Sequence, residues 1–213
     1  MPAVNSEGQL CNLALIAIGQ RDFIGSLNEN SVAATLCSVA YPVARDECLS
    51  SFWWSWATGR ATLPLLSGVT RTGWGYCYAL PSAMLEGGER YIETGSRPRI
   101  PQGDIPFSVE ANDAGNALLL ATDAKTPELV FTRKVTEVVR FPALFVRAVA
   151  ARLAIELASG MAVKPALAKS LEQKAFMALN AAVAADLRSR RTDEPPPAEW
   201  TRVRGGRLLI PTE

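Results

Sequence analysis

The stretch from Phe141 to Ser159 constrains the fold most, because it is helical in pattern and apolar on every side. Leu144, Ala148, Ala151, Ile155 and Ala158 recur along one face, and Phe145, Val149, Leu153 and Leu157 along another. Pro142 suits a first turn and Gly160 a stop. Such a helix has to be enclosed, either at the centre of a bundle or against a neighbouring subunit. Lipid is a poor enclosure here, because Arg147, Arg152 and Glu156 would lie inside the span.

The rest of the bundle comes from both ends of the chain. A helix is predicted from Ser6 to Ile18, with Ser6 as cap, Glu7 in the first turn and Gly19 as the left-handed stop. Leu10, Leu13, Ala14 and Ala17 form one stripe on it, and Cys11, Leu15 and Ile18 a second. Another helix is predicted from Ser31 to about Trp54, with Leu36, Val39, Val43 and Leu49 as its apolar positions and Pro42 as a kink or interruption. The last runs from Pro165 to Arg190 on Leu167, Leu171, Leu179, Val183 and Leu187, with alanines that permit close helix approach. The apolar run Leu10 to Ile18 is not read as a secretory leader, because Glu7 precedes it and Gln20-Arg21-Asp22 follows.

Between Ala57 and Glu137 the helical period stops. Short strands are predicted at residues 60–66, 74–80, 90–93, 107–110, 117–121 and 129–135, separated by turn signals at Gly87-Gly88, Pro98, Pro101, Pro106 and Asn116. Asn112-Asp113-Ala114-Gly115 is a hairpin turn. After Arg191 the prolines at 195, 196 and 197 form a stiff spacer before Trp200 to Ile210, suited to docking on another chain or to folding back on its own.

Composition narrows the chemistry. The chain has 213 residues, 48% apolar and 20% charged, with a net charge of +1. That is a globular composition with no global field for nucleic acid. There is no histidine, which removes imidazole acid–base catalysis, Ser-His and Cys-His nucleophiles and imidazole zinc sites. Cys11, Cys37, Cys48 and Cys77 form no CxxC pair and are predicted to be buried thiols. Gly68 and Gly73 have phosphate-loop spacing, but Trp74 and Gly75 stand where Lys and Ser or Thr are required. Charge is uneven: residues 81–139 carry six basic and nine acidic side chains, and residues 140–191 carry nine basic and three acidic. The tryptophans Trp53, Trp54 and Trp56 cannot all enter one small core, so they divide between core and subunit interface.

The order of motifs resembles the tail tubular protein A family, the head-to-tail adaptors of podovirus-type bacteriophages. The residues that carry this are Leu10-Cys11-Asn12-Leu13-Ala14-Leu15 through Ile18-Gly19, Ile24-Gly25-Ser26-Leu27, Ala34, Cys37 and Tyr41-Pro42. They continue with Arg45-Asp46-Glu47, Trp53 to Ala57, Trp74 to Pro81, Phe141 to Phe145, Leu153-Ala154 and Glu156-Leu157-Ala158. The likeness covers roughly residues 8–190, apart from residues 86–123, and the tail after Arg191 matches nothing in it. The resemblance implies a structural protein of the virion neck, assembled in the host cytoplasm. It implies a ring, usually of twelve subunits, between the portal and the tail nozzle, with viral DNA passing through the lumen. It implies no catalytic site, no cofactor and no metal.

The expected fold class is α+β. A helical bundle comes from residues 1–56 and 140–191, an antiparallel β-region is inserted at 57–139, and a linker with an extended C-terminal arm occupies 192–213. Trp53, Trp54 and Trp56 are candidate subunit-interface residues. Trp200, Arg202, Arg204, Leu208, Leu209 and Ile210 are candidate portal-binding residues, and Glu86, Glu89 and Asp104 are candidate lumen residues that would repel DNA. Two other readings stay open: a different neck, head-completion or tail-terminator protein, and a DNA-binding protein using the basic helical region. No membrane partner is expected.

Overall fold

The computed structural model describes residues 4–94, 105–161 and 165–190. It is an α+β fold of four helices and two small antiparallel sheets. In chain order these are α1 (Glu7–Ala17), α2 (Val32–Ser50), β1 (Thr58–Thr62), β2 (Tyr76–Ala79), β3 (Met84–Glu93), β4 (Phe107–Ala111), β5 (Leu118–Thr122), β6 (Glu128–Arg133), a 3-10 turn (Val138–Arg140), α3 (Ala143–Gly160) and α4 (Pro165–Ser189).

Helix α3 is the axis of the bundle, and α1, α2 and α4 each pack on it. Phe145, Val149, Leu153, Ala154 and Leu157 are fully enclosed. Helix α1 begins and ends as its sequence requires. The Ser6 hydroxyl accepts from the Gln9 N–H at 3.2 Å, and Gly19 takes φ +84° while the Gln20 N–H bonds back to Leu15 at 3.0 Å. The Asn12 side chain then pins the following loop, donating to the Ile24 carbonyl and accepting from the Ile24 N–H, both at 2.9 Å.

Helix α2 departs from expectation in three ways. It runs through Pro42 without interruption and stops at Ser50, before the tryptophans. Its buried face is Ala34, Cys37, Tyr41, Ala44, Cys48 and Leu49, not the stripe through Val39 and Val43. That face meets α1 as well as α3, with Cys37 beside Cys11, and Val39 and Val43 are left on the exposed side. On α4 the buried positions are Leu171, Ala175, Ala182 and Asp186, while Leu187 is exposed.

The strands form two three-stranded sheets, ordered β1-β6-β3 and β2-β5-β4. The hairpin between β4 and β5 turns at Asn112 to Gly115, with Gly115 at φ +67° and the Asn112 N–H bonded to the Ala117 carbonyl at 2.8 Å. The strand expected at 60–66 divides. Residues 58–62 pair with β6, and the backbone at Pro64 and Leu66 bonds β2 instead, which links the two sheets. Gly87-Gly88 is not a turn. It lies inside β3 within a bulge, Gly87 having φ +67°. A Cβ on Gly88 would stand 2.7 Å from the Leu85 carbonyl oxygen and 3.0 Å from that of Thr132, so the backbones approach too closely for a side chain. All four cysteines are buried and unpaired.

Candidate functional site

The segment Phe52 to Ala57 joins α2 to β1 and is an elbow between bundle and sheets. Its tryptophans are placed by three different neighbours. Trp54 is fully buried against Phe145, at a centroid distance of 5.1 Å, and its indole donates to the Cys48 carbonyl at 2.9 Å. Trp56 is half-buried between Phe141 and Phe145, at 5.8 and 4.9 Å. Trp53 is exposed, with the Arg90 guanidinium 5.8 Å from its ring. The interface assignment is therefore corrected for Trp54, which has no surface to offer a second subunit. Trp53 alone of the three is free of the core.

Two charged groups clamp the elbow from opposite sides. Asp186 on α4 is buried and accepts from the Ser55 N–H at 3.1 Å and the Ser55 hydroxyl at 2.6 Å. It also pairs with Arg190 at 3.0 Å, which itself donates to the Trp53 carbonyl. On the β side, the guanidinium of Arg90 reaches the Thr58 hydroxyl at 2.7 Å, the Thr132 hydroxyl at 3.0 Å and the Trp54 carbonyl at 3.1 Å. Arg90 has no residue opposite it in the ladder, because Glu89 pairs with Phe131 and Tyr91 with Val130. The bulge therefore lets Arg90 reach over the face of β6 to Thr58 on β1 and into the elbow. Burial, and after it the Arg190 charge, hold the Arg90 guanidinium below its ordinary value. Sequence reasoning missed Arg90, Ser55 and Asp186, which come together from positions as far as 131 residues apart.

The remaining expected sites are dispersed. Glu86 is exposed and Glu89 half-buried, and both lie on β3 around the glycine bulge. Asp104 lies outside the described residues, and so do Trp200, Arg202, Arg204, Leu208, Leu209 and Ile210. Among the described residues no group of three His, Cys, Asp or Glu side chains is placed to hold a metal, and no helix is long and apolar enough to cross a membrane.

The surface is informative in another way. Val32, Val39 and Val43 on α2 are 77%, 70% and 60% exposed, and Phe176 and Met177 on α4 are 68% and 70% exposed. A groove of about 290 Å³ runs between α2, α3 and α4, with Cys48, Ala148 and Ala175 in its apolar lining. Glu47 and Arg152 pair across its rim, and burial pushes the Cys48 thiol up to about 12. No known protein-family model matches the chain, and a search of curated proteins finds no relative.

Proposed function

We propose that this chain is a virion structural protein of a tailed bacteriophage, a head-to-tail adaptor similar to tail tubular protein A. In this reading it is not an enzyme. A ring of copies, twelve by the resemblance, joins the portal to the tail nozzle and continues the channel through which DNA leaves. The observation that carries the reading is where the ordered motifs fall. Leu10 to Ala17 lie in α1, Tyr41 to Glu47 in the second half of α2, Trp53 to Ala57 in the elbow, and Ala143 to Ala158 in the axial helix. The motifs thus fall on the bundle, on its junction and, through Trp74 to Pro81, on strand β2 of the β-region. Large apolar side chains left outside a well-filled core are consistent with a protein that finishes its burial in an assembly.

In this proposal the arm around Trp200 to Ile210 grips the portal, and acidic groups such as Glu86, Glu89 and Asp104 keep DNA from adhering to the lumen. The DNA-binding alternative has less support. Arg140, Arg152 and Arg190 from the basic region are each held in ion pairs with Glu137, Glu47 and Asp186. Co-sedimentation with assembled portal rings tests the adaptor reading. The full chain is expected to travel with the rings, and a chain lacking residues 195–213 is expected to keep its helical circular dichroism and lose binding. Failure of the full chain to bind, together with salt-dependent binding to duplex DNA, would favour the alternative.

A further inference from the structure

A groove opens where the two sheets and the elbow meet. Trp53 from the elbow, Arg90 and Tyr91 from β3, and Ile105, Pro106 and Phe107 at the start of β4 line a space of about 520 Å³. Both β3 and β4 are edge strands of their sheets. Three aromatic rings and a proline are the lining that takes polyproline segments. Such a ligand arrives already extended, so little conformational entropy is lost when it docks.

The charge of this groove is unbalanced. No acidic side chain lines it, and Glu93 at the end of β3 is paired with Arg60. The hydrogen bonds of Arg90 all go to neutral groups, the hydroxyls of Thr58 and Thr132 and the Trp54 carbonyl. Asp186, the acid whose charge reaches Arg90, is already taken by Ser55 and Arg190. The groove therefore favours a ligand that brings carboxylates.

The chain carries such a segment. Asp193, Glu194 and Glu199 flank Pro195-Pro196-Pro197, and residues 192–199 contain no cation. These residues lie outside the described ones, but the chain departs for them beside the groove. Helix α4 ends at Ser189, and the Arg190 guanidinium donates to the carbonyl of Trp53, whose side chain is one wall. Five residues then lead from Arg190 to Pro195, a reach of up to about 16 Å. Residues 95–104, which precede Ile105, also contain prolines, but they bring Arg97 and Arg99 against one acid, Asp104, and would add positive charge beside Arg90.

We propose that Pro195-Pro196-Pro197 seats in this groove of its own chain, with the flanking carboxylates balancing Arg90. The arm from Trp200 to Ile210 then starts from a set place on the subunit, which in the adaptor reading aims it at the portal.

A spin label tests this in the full chain, dilute and without portal rings. Ala198→Cys takes a nitroxide selectively, because the four native thiols are buried. Spectra of the isotope-enriched protein are compared before and after ascorbate reduction of the label. The amides of Tyr91 and Phe107 and the Trp53 indole are expected to broaden, while the amides of α1 stay sharp. Replacing the three prolines together (P195G, P196G and P197G) keeps the tether length and is expected to remove most of the broadening at Tyr91 and Phe107. Trp53→Ala, at an exposed position, is expected to do the same with unchanged circular dichroism. Absence of selective broadening at Tyr91 and Phe107 would overturn the proposal, as would broadening that survives the glycine variant undiminished. Equal broadening from a nitroxide on a second, unenriched chain would overturn it too, by giving the segment to a neighbouring copy. A negative result leaves the adaptor reading standing, and a chain that ignores portal rings leaves this contact standing.

Discussion

The bundle and the β-region are held together differently. In the bundle, 28 buried residues form one continuous cluster around α3, reaching to Trp54 and Ala57 in the elbow and Leu85 on β3. In the β-region the buried apolar residues split into groups of six and three, on opposite faces of β5. Leu120 faces one group, and Leu119 and Ala121 face the other. A strand covered on both sides, with little behind either cover, depends on its attachments. The elbow clamp therefore has a mechanical role: Arg90 and Asp186 tie a lightly cored β-region to a heavily cored bundle.

The largest test of this contrast is a pair of core truncations. Phe145→Ala removes the centre of the aromatic cluster and should cost about 3–5 kcal/mol, lowering the whole urea transition. Leu120→Ala should cost about 2–3 kcal/mol, because a small cluster can collapse around the lost atoms. Equal losses would mean the two cores are equally dependent on packing. Next in size, Asp186→Ala removes the acceptor for Ser55 and the partner of Arg190, and should cost about 2 kcal/mol in the same denaturation assay. It should also raise hydrogen exchange in β1, which follows the elbow, more than in α1. Gly88→Ala forces a Cβ against two backbone carbonyls and should cost about 1–2 kcal/mol, with exchange rising in β3 and β6.

The smallest effect concerns pH. Burial, with the Glu7 charge adding to it, pushes the Tyr41 hydroxyl up to about 12 from an ordinary value near 10. The neutral form is favoured in the folded state, so its contribution is whole below pH 10 and is lost as pH rises through 12. Cys48 acts in the same direction from about pH 9. The Tyr41 hydroxyl also finds no hydrogen-bond partner among the described residues. Tyr41→Phe is therefore expected to be at least as stable at pH 7 and to lose less stability between pH 10 and 12, measured by urea midpoints at each pH. An unchanged alkaline profile would place the titration elsewhere.

Local signals in the sequence were enough for much of the fold. Ser6 and Gly19 bound α1, Pro142 starts α3, and Asn112 to Gly115 turn a hairpin, because each feature depends only on its near neighbours; Gly160, expected as a stop, is the last residue of α3, which is capped at Met161. What escaped was set at long range. Val39 and Val43 have the right period for a core face, but Ala34, Cys37, Tyr41, Ala44 and Cys48 take that role. Gly87-Gly88 has turn composition, yet pairing with β6 makes it a bulge. Trp53 and Trp54 fall within the helix predicted to about residue 54, which ends at Ser50, and neighbours from β3 and α3 decide where these indoles and that of Trp56 go. The site was less legible still. Arg90 and Asp186 are unremarkable in sequence, and only the bulge and the approach of α4 bring them to the elbow.

Electron microscopy of the purified protein mixed with assembled portal rings tests most directly the proposal that this chain is a ring-forming subunit seated on a portal. The account predicts a second, coaxial ring stacked on the narrow end of the portal, with a subunit number that can be counted. Bare portal rings beside well-folded protein would contradict it.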